Sequence, residues 1–220
     1  MRSRRPRLLK SEDLPPEPRQ KRSREKRARL KDAALALFWS FGYERTSIEG
    51  IAERARLATG SFYQHYRSKR QLLLVLMDDL LAAMAGLKLQ PTPGADVRTS
   101  LREILASGFS ADRRYLGAYR AWREAALADS QMARSEMEIR RWTTQRVAAL
   151  LTALQKWSGA RQGVNVSALA LAINNLCWSL LEQPAYLTRE GLNAQIDAAT
   201  HLIYHAIFLD AAGEKFPSGR

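Results

Sequence analysis

The sequence predicts an all-α fold, and three features of the chain support it. From residue 22 onward, apolar residues recur at three- and four-residue spacing, which places them on one face of a helix. No segment alternates convincingly between apolar and polar residues with a period of two, as a half-buried strand would. Thr46 and Ser68 are each followed three residues later by Glu or Gln, a pattern that starts helices.

The composition is that of a folded protein with a polyanionic partner. The 220 residues are 46% hydrophobic, and 35 Lys and Arg against 22 Asp and Glu give a net charge of +13. The lone cysteine, Cys177, excludes an intrachain disulfide and favours a reducing compartment. We expect no secretory signal, because no apolar stretch follows the basic N-terminus, and no membrane span; the expected location is cytoplasmic.

The first 31 residues carry most of the excess positive charge. They hold 13 Lys or Arg and four acidic residues, a net charge of +9. Residues 1–21 also contain four prolines and few apolar side chains, so we expect a disordered basic tail. Two interpretations stay open: a solvated segment or leader, or an arm that follows phosphates or enters a minor groove.

Residues 22–70 are expected to form a small helical domain. Its first helix has an apolar face and ends at Gly42. Thr46 opens the second helix as N-cap, and Glu49 completes a capping box. The apolar face of the first helix comprises Leu30, Ala34, Leu37, Phe38 and Phe41.

A break at residues 55–57 separates the second helix from a short third segment, residues 58–65. Ser68 and Gln71 then form a capping box that starts a fourth helix. Two short helices around a three-residue break are the helix-turn-helix arrangement, in which the second helix fits a DNA major groove. The spacing alone leaves open an ordinary helical hairpin with a polar surface.

Three groups of residues suit a DNA interface. Small polar residues at the leading end of the third segment suit base edges, and the donors behind them suit phosphates. Hydroxyls at the N-terminus of the second helix suit a further phosphate. In that order the groups are Thr59, Gly60 and Ser61; Tyr63, His65, Tyr66 and Lys69; and Thr46 and Ser47.

Two runs in this region carry a specific pattern: RTSIEGIAERA over residues 45–55 and GSFYQHYRSK over residues 60–69. Together with the first-helix ending from Phe38 to Tyr43, they resemble the DNA-binding domain of TetR-type transcriptional regulators, over roughly residues 24–75. The resemblance implies an all-helical homodimer whose C-terminal domain binds a small ligand that alters DNA affinity. It also implies that phosphates are held by Tyr63, His65 and Lys69 and that bases are faced by Thr59, Gly60 and Ser61.

Two residues depart from the family pattern. Arg56 stands in the turn where glycine is usual, so we expect it to adopt a left-handed backbone at a cost of about 1 kcal/mol. Ala58 stands where a capping serine is common; either a cap is missing there or Thr59 caps instead. Both departures weaken the turn. We hypothesise that Arg56 contacts a phosphate, the alternative being a side chain that only faces solvent.

The rest of the chain is expected to be helical and to carry no catalytic group. Breaks at residues 91–94 and 110–112 separate the fourth, fifth and sixth helices. Asp197, His201 and His205 share a helix face, but no fourth ligand is evident, so we predict no metal and no other cofactor. The expected helices lie near residues 96–109, 112–127, 130–157, 165–186 and 189–209.

The last two helices suggest a homodimer. The helix near 165–186 is apolar on nearly every side, and the helix near 189–209 has an apolar stripe. Pairing with their symmetry mates would form a four-helix interface with two-fold symmetry and predicts a palindromic DNA site. The alternative is that these helices complete a monomer core.

A ligand site is suggested by aromatic side chains on neighbouring predicted helices. Tyr115, Tyr119 and Trp122 form a stripe, which as an alternative belongs to the plain core. The candidate polar contacts are Arg120, Arg123, Glu124 and Asn174, the alternative for the three charged residues being that they only face solvent. The expected ligand is an unknown apolar or aromatic small molecule. The full candidate set is Phe109, Tyr115, Tyr119, Trp122, Met132, Asn174 and Trp178.

We therefore expect residues 1–21 to be a tail, 22–70 the DNA-binding domain, 71–213 a helical ligand-binding and dimerisation domain, and 214–220 a C-terminal tail. The expected function is a ligand-responsive, sequence-specific regulator of transcription that binds double-stranded DNA, with repressor favoured over activator by the resemblance alone. The alternative is a protein-binding co-regulator with a weakened helix-turn-helix. An enzyme is not expected, because the chain offers no persuasive set of acid, base or nucleophile.

Overall fold

The computed structural model describes residues 4–89, 96–180 and 188–208, except the side chains of residues 111 and 112. Within these residues the chain forms nine helices and no strand, which confirms the all-α prediction. Ala160 and Phe208 pair in an isolated antiparallel bridge. The helices are α1 (Lys21–Phe41), α2 (Ile48–Arg54), α3 (Thr59–Tyr63), α4 (Lys69–Gly86), α5 (Val97–Arg114), α6 (Leu116–Ala128), α7 (Ser130–Leu154), α8 (Val166–Leu180) and α9 (Arg189–Ile207).

The chain divides into two compact units. Of the described residues, one unit comprises 4–86 and 110–140, and the other comprises 87–89, 96–109, 141–180 and 188–208. The first unit is larger than the expected domain of residues 22–70, because α6 packs against both α1 and α4. The bounds of the DNA-binding and ligand-binding domains given in the sequence analysis stay predictions. The expected break at residues 91–94 and the tail at 214–220 lie outside the described residues.

The turn between α1 and α2 differs from the prediction by one residue. Gly42 ends α1 as expected, with φ at 80° and its N–H donating to the Phe38 carbonyl at 3.0 Å. The N-cap of α2 is Ser47, whose Oγ accepts from the Gly50 N–H at 3.0 Å. The prediction of Thr46 as N-cap is wrong, because its hydroxyl instead donates to the Gly42 carbonyl at 2.7 Å and closes the turn.

The turn between α2 and α3 has the strained backbone that the sequence predicts. Arg56 has φ at 54°, and it is the only non-glycine residue with positive φ in the described part of the chain. The Arg29 guanidinium donates to the carbonyl oxygens of Ala55 and Arg56, which end α2. Ala58 is the N-cap of α3 and provides no side-chain bond, so the cap is missing; Thr59 is already helical and does not replace it.

Two other predicted boundaries have different outcomes. Ser68 and Gln71 start α4 as expected: the Gln71 N–H donates to Ser68 Oγ at 3.1 Å, and Gln71 Oε1 accepts from the Arg67 N–H at 2.8 Å. The predicted break at residues 110–112 is wrong, because α5 continues to Arg114 and the chain breaks at Tyr115. None of the residues at 110–112 is Gly or Pro, the two residues that oppose a helix interior most strongly.

Close packing of α6 against α1 organises the first unit. Gly117 lies against the backbone of Leu35, and a Cβ there would collide with the Leu35 carbonyl oxygen. One turn further along, Arg120 donates to the Trp39 carbonyl at 2.5 Å. Trp122, on the same helix, is among the largest fully buried side chains. Because a glycine meets a backbone carbonyl here, the two helices approach more closely than larger side chains would allow.

The second unit has a core of its own. Aliphatic residues of α5, α7, α8 and α9 pack together there, and Phe208 closes one end. The Arg161 N–H and guanidinium donate to the carbonyls of Ile207 and Phe208 at 2.7 and 3.1 Å, which fixes the loop before α8. The fully or nearly buried members are Leu101, Leu150, Leu151, Leu154, Ala170, Ile173, Ile203 and Ile207.

The N-terminal segment packs on the first unit, which differs from the expected disordered tail. Leu8 is only 8% exposed. Arg5 pairs with Asp78 of α4 at 2.8 Å, and Glu12 pairs with Arg70 at 2.8 Å. Composition predicts disorder from net charge and low hydrophobicity, but here opposite charges on α4 give the segment specific partners.

Candidate nucleic-acid interface

Helix α3 is short and is held by buried aromatic rings. It spans five residues, and its Phe62 side chain is fully buried. Tyr66, just after the helix, is also fully buried and stacks at a tilt on Phe62, with ring centroids 5.7 Å apart. These anchors fix the helix from behind, so its other side is free to meet a partner.

The leading end of α3 presents small groups to solvent. Gly60 is exposed, and a Cβ added to it would meet nothing within 4 Å. The fold therefore does not need glycine there, whereas the close approach of a base edge would. Thr59 is partly exposed; Ser61 is also partly exposed, but its Oγ is shielded from solvent.

The predicted phosphate-binding donors are in three different environments. Tyr63 is 49% exposed and accessible to a phosphate. His65 is buried with Nε2 shielded, and burial, together with the charges of Arg27 and Lys26, lowers its pKa. Tyr66 as a DNA contact is wrong: its hydroxyl accepts from Arg27 Nε at 3.3 Å inside the domain, and burial raises its pKa to about 12.

Lys69 is held by the loop that precedes α2. Its Nζ donates to the Tyr43 carbonyl at 2.7 Å and lies 4.2 Å from the centre of the Tyr43 ring. Burial lowers the pKa of this ammonium group. Thr46 is likewise buried, with its hydroxyl used by the turn, whereas Ser47 is exposed at the start of α2. Lys69 and Thr46 therefore shape the interface from within.

Arg56 lies on the surface of the turn before α3. It lines an open cleft together with Arg29, Arg54 and Asp32, which are three arginines and one acidic residue. The Arg56 side chain is exposed. This arrangement offers a phosphate a positive surface beside the recognition helix.

Residues 30–76 match the family model of bacterial regulatory proteins, tetR family. Over these residues the chain is similar to TetR-family regulators. The match agrees with the span of the resemblance noted in the sequence and with the helix-turn-helix geometry of α2 and α3.

Named relatives and solved structures point the same way. The repressor KstR of Mycolicibacterium smegmatis is 43% identical over 51 residues, which cover 23% of this chain and 25% of KstR. The chain thus spans only a quarter of the length of this relative. SmeT, the repressor of the Stenotrophomonas maltophilia multidrug efflux pump SmeDEF, is 22% identical, with a TM-score of 0.61 over 85% of this chain and 94% of SmeT. The SmeT chain in a complex with triclosan is 21% identical to this chain, with a TM-score of 0.64 over 89% of this chain and 98% of the SmeT chain. These structures establish the fold along most of the chain.

The ligand candidates fall into both compact units. Tyr115, Tyr119, Trp122 and Met132 belong to the same unit as residues 30–76, and Trp122 and Met132 are almost fully buried there. Phe109, Asn174 and Trp178 belong to the other unit. There Asn174 donates to Thr144 Oγ1 at 3.0 Å and Trp178 Nε1 donates to Thr143 Oγ1 at 3.3 Å. Their role in ligand binding stays a prediction.

The polar groups at α9 are engaged with one another and with α5. Asp197 pairs with Arg102 at 2.7 Å, and the rings of His201 and His205 lie 4.2 Å apart. In the described part of the chain, no group of three His, Cys, Asp or Glu could hold a metal ion. Nor is any described helix long and apolar enough to cross a membrane.

Two residues suggested as ligand contacts bond to backbone groups of α1 and of the loop after it. Arg120 bonds to α1, and the Glu124 carboxylate accepts from the backbone N–H groups of Tyr43 and Glu44 at 2.6 and 3.1 Å. The sequence also does not predict the role of Arg27, which donates to the Tyr66 hydroxyl. No local pattern marks these roles, because the partners of Arg120 and Glu124 lie about 80 residues away in sequence.

Proposed function

We propose that this chain is a ligand-responsive, sequence-specific DNA-binding regulator of transcription, a repressor that a small molecule releases from a palindromic operator. The observation that carries the proposal is α3, with its buried Phe62 and its small, open leading end at Gly60. The repressor names of matched relatives support the sign of regulation. The activity needs no bond-breaking chemistry and no cofactor, and its DNA partner implies a cytoplasmic location.

The mechanism separates affinity from specificity. Basic residues such as Arg56, with Tyr63 and Ser47, neutralise or bond phosphates, and Thr59 to Ser61 read base edges in the major groove. The effector binds better to a dimer whose two recognition helices no longer match the spacing of the half-sites. It shifts the equilibrium only by its differential affinity for the two forms.

Exposed aliphatic side chains on α8 and α9 support a homodimer. Leu171, Leu176 and Leu202 are exposed although they are large and apolar. A second copy of the same two helices would cover them in a two-fold contact.

The effector is proposed to be an apolar or aromatic small molecule. The triclosan complex of SmeT supports a small-molecule site within this fold. Trp122 is the most informative candidate, because its indole Nε1 is buried and has no hydrogen-bond partner within the described residues. A compound that weakens DNA binding should quench tryptophan fluorescence, and a Trp122→Phe variant should lose that quenching.

The decisive experiment selects bound duplexes from a random DNA pool with the full chain at two salt concentrations. It is repeated with a Gly60→Ala variant and with Gly86→Ala as the matched control. Both glycines are exposed helical residues with open space around them and neither has positive φ, so neither alanine should destabilise the fold. Only the Cβ at Gly60 should obstruct a base edge.

We expect an enriched palindrome whose binding is weakened by Gly60→Ala and unaffected by Gly86→Ala, although both variants melt at equal or higher temperature than the wild type. Stability and affinity thus move in opposite directions at Gly60, which separates DNA contact from folding. If no sequence is enriched and binding vanishes at higher salt, α3 does not read bases. The co-regulator interpretation would then replace this proposal.

A further inference from the structure

The loop between α1 and α2 is held by a carboxylate from α6. Glu124 Oε2 accepts from the Tyr43 N–H at 2.6 Å, and Oε1 accepts from the Glu44 N–H at 3.1 Å. Both oxygens are therefore used, each by a backbone donor of the same short loop. A carboxylate bonded to two adjacent amides is a directional, charge-assisted contact.

The same loop is held by an ammonium group from the start of α4. Lys69 Nζ donates to the carbonyl of Tyr43 at 2.7 Å and lies near the carbonyl of Glu44 at 3.5 Å. The N–H groups of Tyr43 and Glu44 thus bond to α6, while their carbonyls bond to α4. Because backbone groups are fixed in both directions, the loop has little freedom to shift alone.

Gly42, which precedes Tyr43 and Glu44, leaves space for the Glu124 carboxylate. Gly42 has φ at 80°, and a Cβ there would collide with Glu124 Oε2. Glycine is thus required by the positive φ at this position, and its missing Cβ leaves the space that the end of the Glu124 side chain fills.

The loop leads directly to the DNA-facing end of α2. The Thr46 hydroxyl donates to the Gly42 carbonyl at 2.7 Å, and the Thr46 N–H donates to the Tyr43 carbonyl at 3.2 Å. Ser47, the exposed N-cap of α2, is the next residue. Displacing Gly42 and Tyr43 would therefore displace Ser47 relative to α3.

We infer that Glu124 is a positioning residue for DNA binding, which acts through the backbone of Tyr43 and Glu44 to set where Ser47 lies beside the recognition helix. The inference rests on the proposed function. An alternative explanation predicts the opposite change in DNA affinity. If Glu124 acted only as a negative charge near DNA, its removal would strengthen DNA binding. A positioning role requires that its removal weaken binding to the specific site.

The test uses the full chain and the duplex that the wild-type protein selects. Glu124→Gln removes the charge and one acceptor, and Glu124→Asp keeps the charge but shortens the reach. Glu138→Gln, at an exposed glutamate of α7, is the matched charge control. The readouts are affinity for the selected duplex, the salt dependence of that affinity, thermal melting, and hydrogen exchange of a peptide covering Tyr43 and Glu44 without DNA.

We expect both Glu124 variants to bind the selected duplex about tenfold more weakly, the loss that one charge-assisted hydrogen bond produces. The salt slope should stay the same, because no phosphate contact is removed. Exchange at Tyr43 and Glu44 should be faster, and Glu138→Gln should behave as wild type in every readout.

Equal or tighter binding by Glu124→Gln, or wild-type binding by Glu124→Asp, overturns the inference and leaves the proposed function intact. A loss of cooperative melting in both variants also overturns it, because the contact would then be needed for folding. If the wild-type protein selects no duplex, the proposed function fails and this inference falls with it.

Discussion

The Arg56→Gly variant should have a higher free energy of unfolding than the Arg56→Ala variant. Arg56 has φ at 54°, in the left-handed region. A residue with a Cβ pays about 1–2 kcal/mol there, whereas glycine does not. Glycine gains about 0.5–1 kcal/mol of extra freedom in the unfolded chain, which opposes the effect. The net expectation is that Arg56→Gly is more stable than Arg56→Ala by about 0.5–1 kcal/mol.

The comparison with alanine isolates the backbone. Both variants lose the same guanidinium group, so any change in surface charge is common to them. The bonds from Arg29 go to backbone carbonyls of Ala55 and Arg56, and both variants keep those carbonyls. The difference between the variants therefore reports the backbone at this position, that is, the left-handed strain less the extra freedom of glycine in the unfolded chain.

The assay is urea unfolding at one fixed protein concentration, because self-association would make stability depend on concentration. A parallel thermal melt should show Arg56→Gly melting about 2 °C above Arg56→Ala. If Arg56→Gly is the less stable of the two, the argument from strain is refuted. The same variants test the phosphate contact: both should reduce the salt slope of DNA binding by about one, and an unchanged slope removes Arg56 from the interface.

Three further outcomes follow from other contacts. Tyr66→Phe should lower stability by about 1 kcal/mol in urea unfolding, since one buried hydrogen bond is lost, yet leave the salt slope of DNA binding unchanged, since Tyr66 is fully buried. A hydrogen bond from Arg70 lowers the pKa of Asp129 below 3.8. Asp129→Asn should therefore cost stability at neutral pH, and the difference from wild type should shrink as the pH falls below 3.8, through the folded-state pKa; a pH-independent difference would exclude this linkage. Leu202→Glu should give a monomer in sedimentation, whereas Leu127→Glu, at a more exposed leucine of α6, should not.

The sequence predicts the helix-turn-helix well because its signals are local. Gly42 marks a helix end through its own backbone preference, and the three-residue break at Arg56 follows from the apolar spacing on each side. The left-handed conformation of Arg56 is expected from the family resemblance, because Arg56 stands in the turn where glycine is usual, and the structure has φ at 54° there. The one-residue error at Thr46 arises because Thr46 matches the capping-box pattern through Glu49, whereas Ser47 is followed three residues later by Gly50. The pattern does not show that the Thr46 hydroxyl closes the turn onto Gly42 and leaves Ser47 as the cap.

Side-chain environments could not be predicted in the same way. Tyr66 and Tyr63 lie three residues apart and both look like phosphate donors, but one is buried against Phe62 and the other is exposed. The role of Glu124 depends on a loop about 80 residues earlier in the chain. Such contacts depend on how α1 and α6 pack, and no periodicity in either helix encodes which of its polar groups will meet the other.

The contacts of α6 with α1 have a regular order that bears on how a signal would travel. Along α6, Gly117, Arg120 and Glu124 meet successive backbone groups of Leu35, Trp39 and Tyr43. The first step, from Gly117 to Arg120 on α6 and from Leu35 to Trp39 on α1, is about one helical turn on both helices, and Tyr43 lies in the loop just after α1. The two helices therefore lie alongside each other in one register. Slipping by one turn would bring a Cβ onto the carbonyl now seated at the glycine and would leave the carboxylate without its two amides. Because both changes are unfavourable, a force applied to α6 moves α1 and the loop before α2 with it, rather than sliding past them.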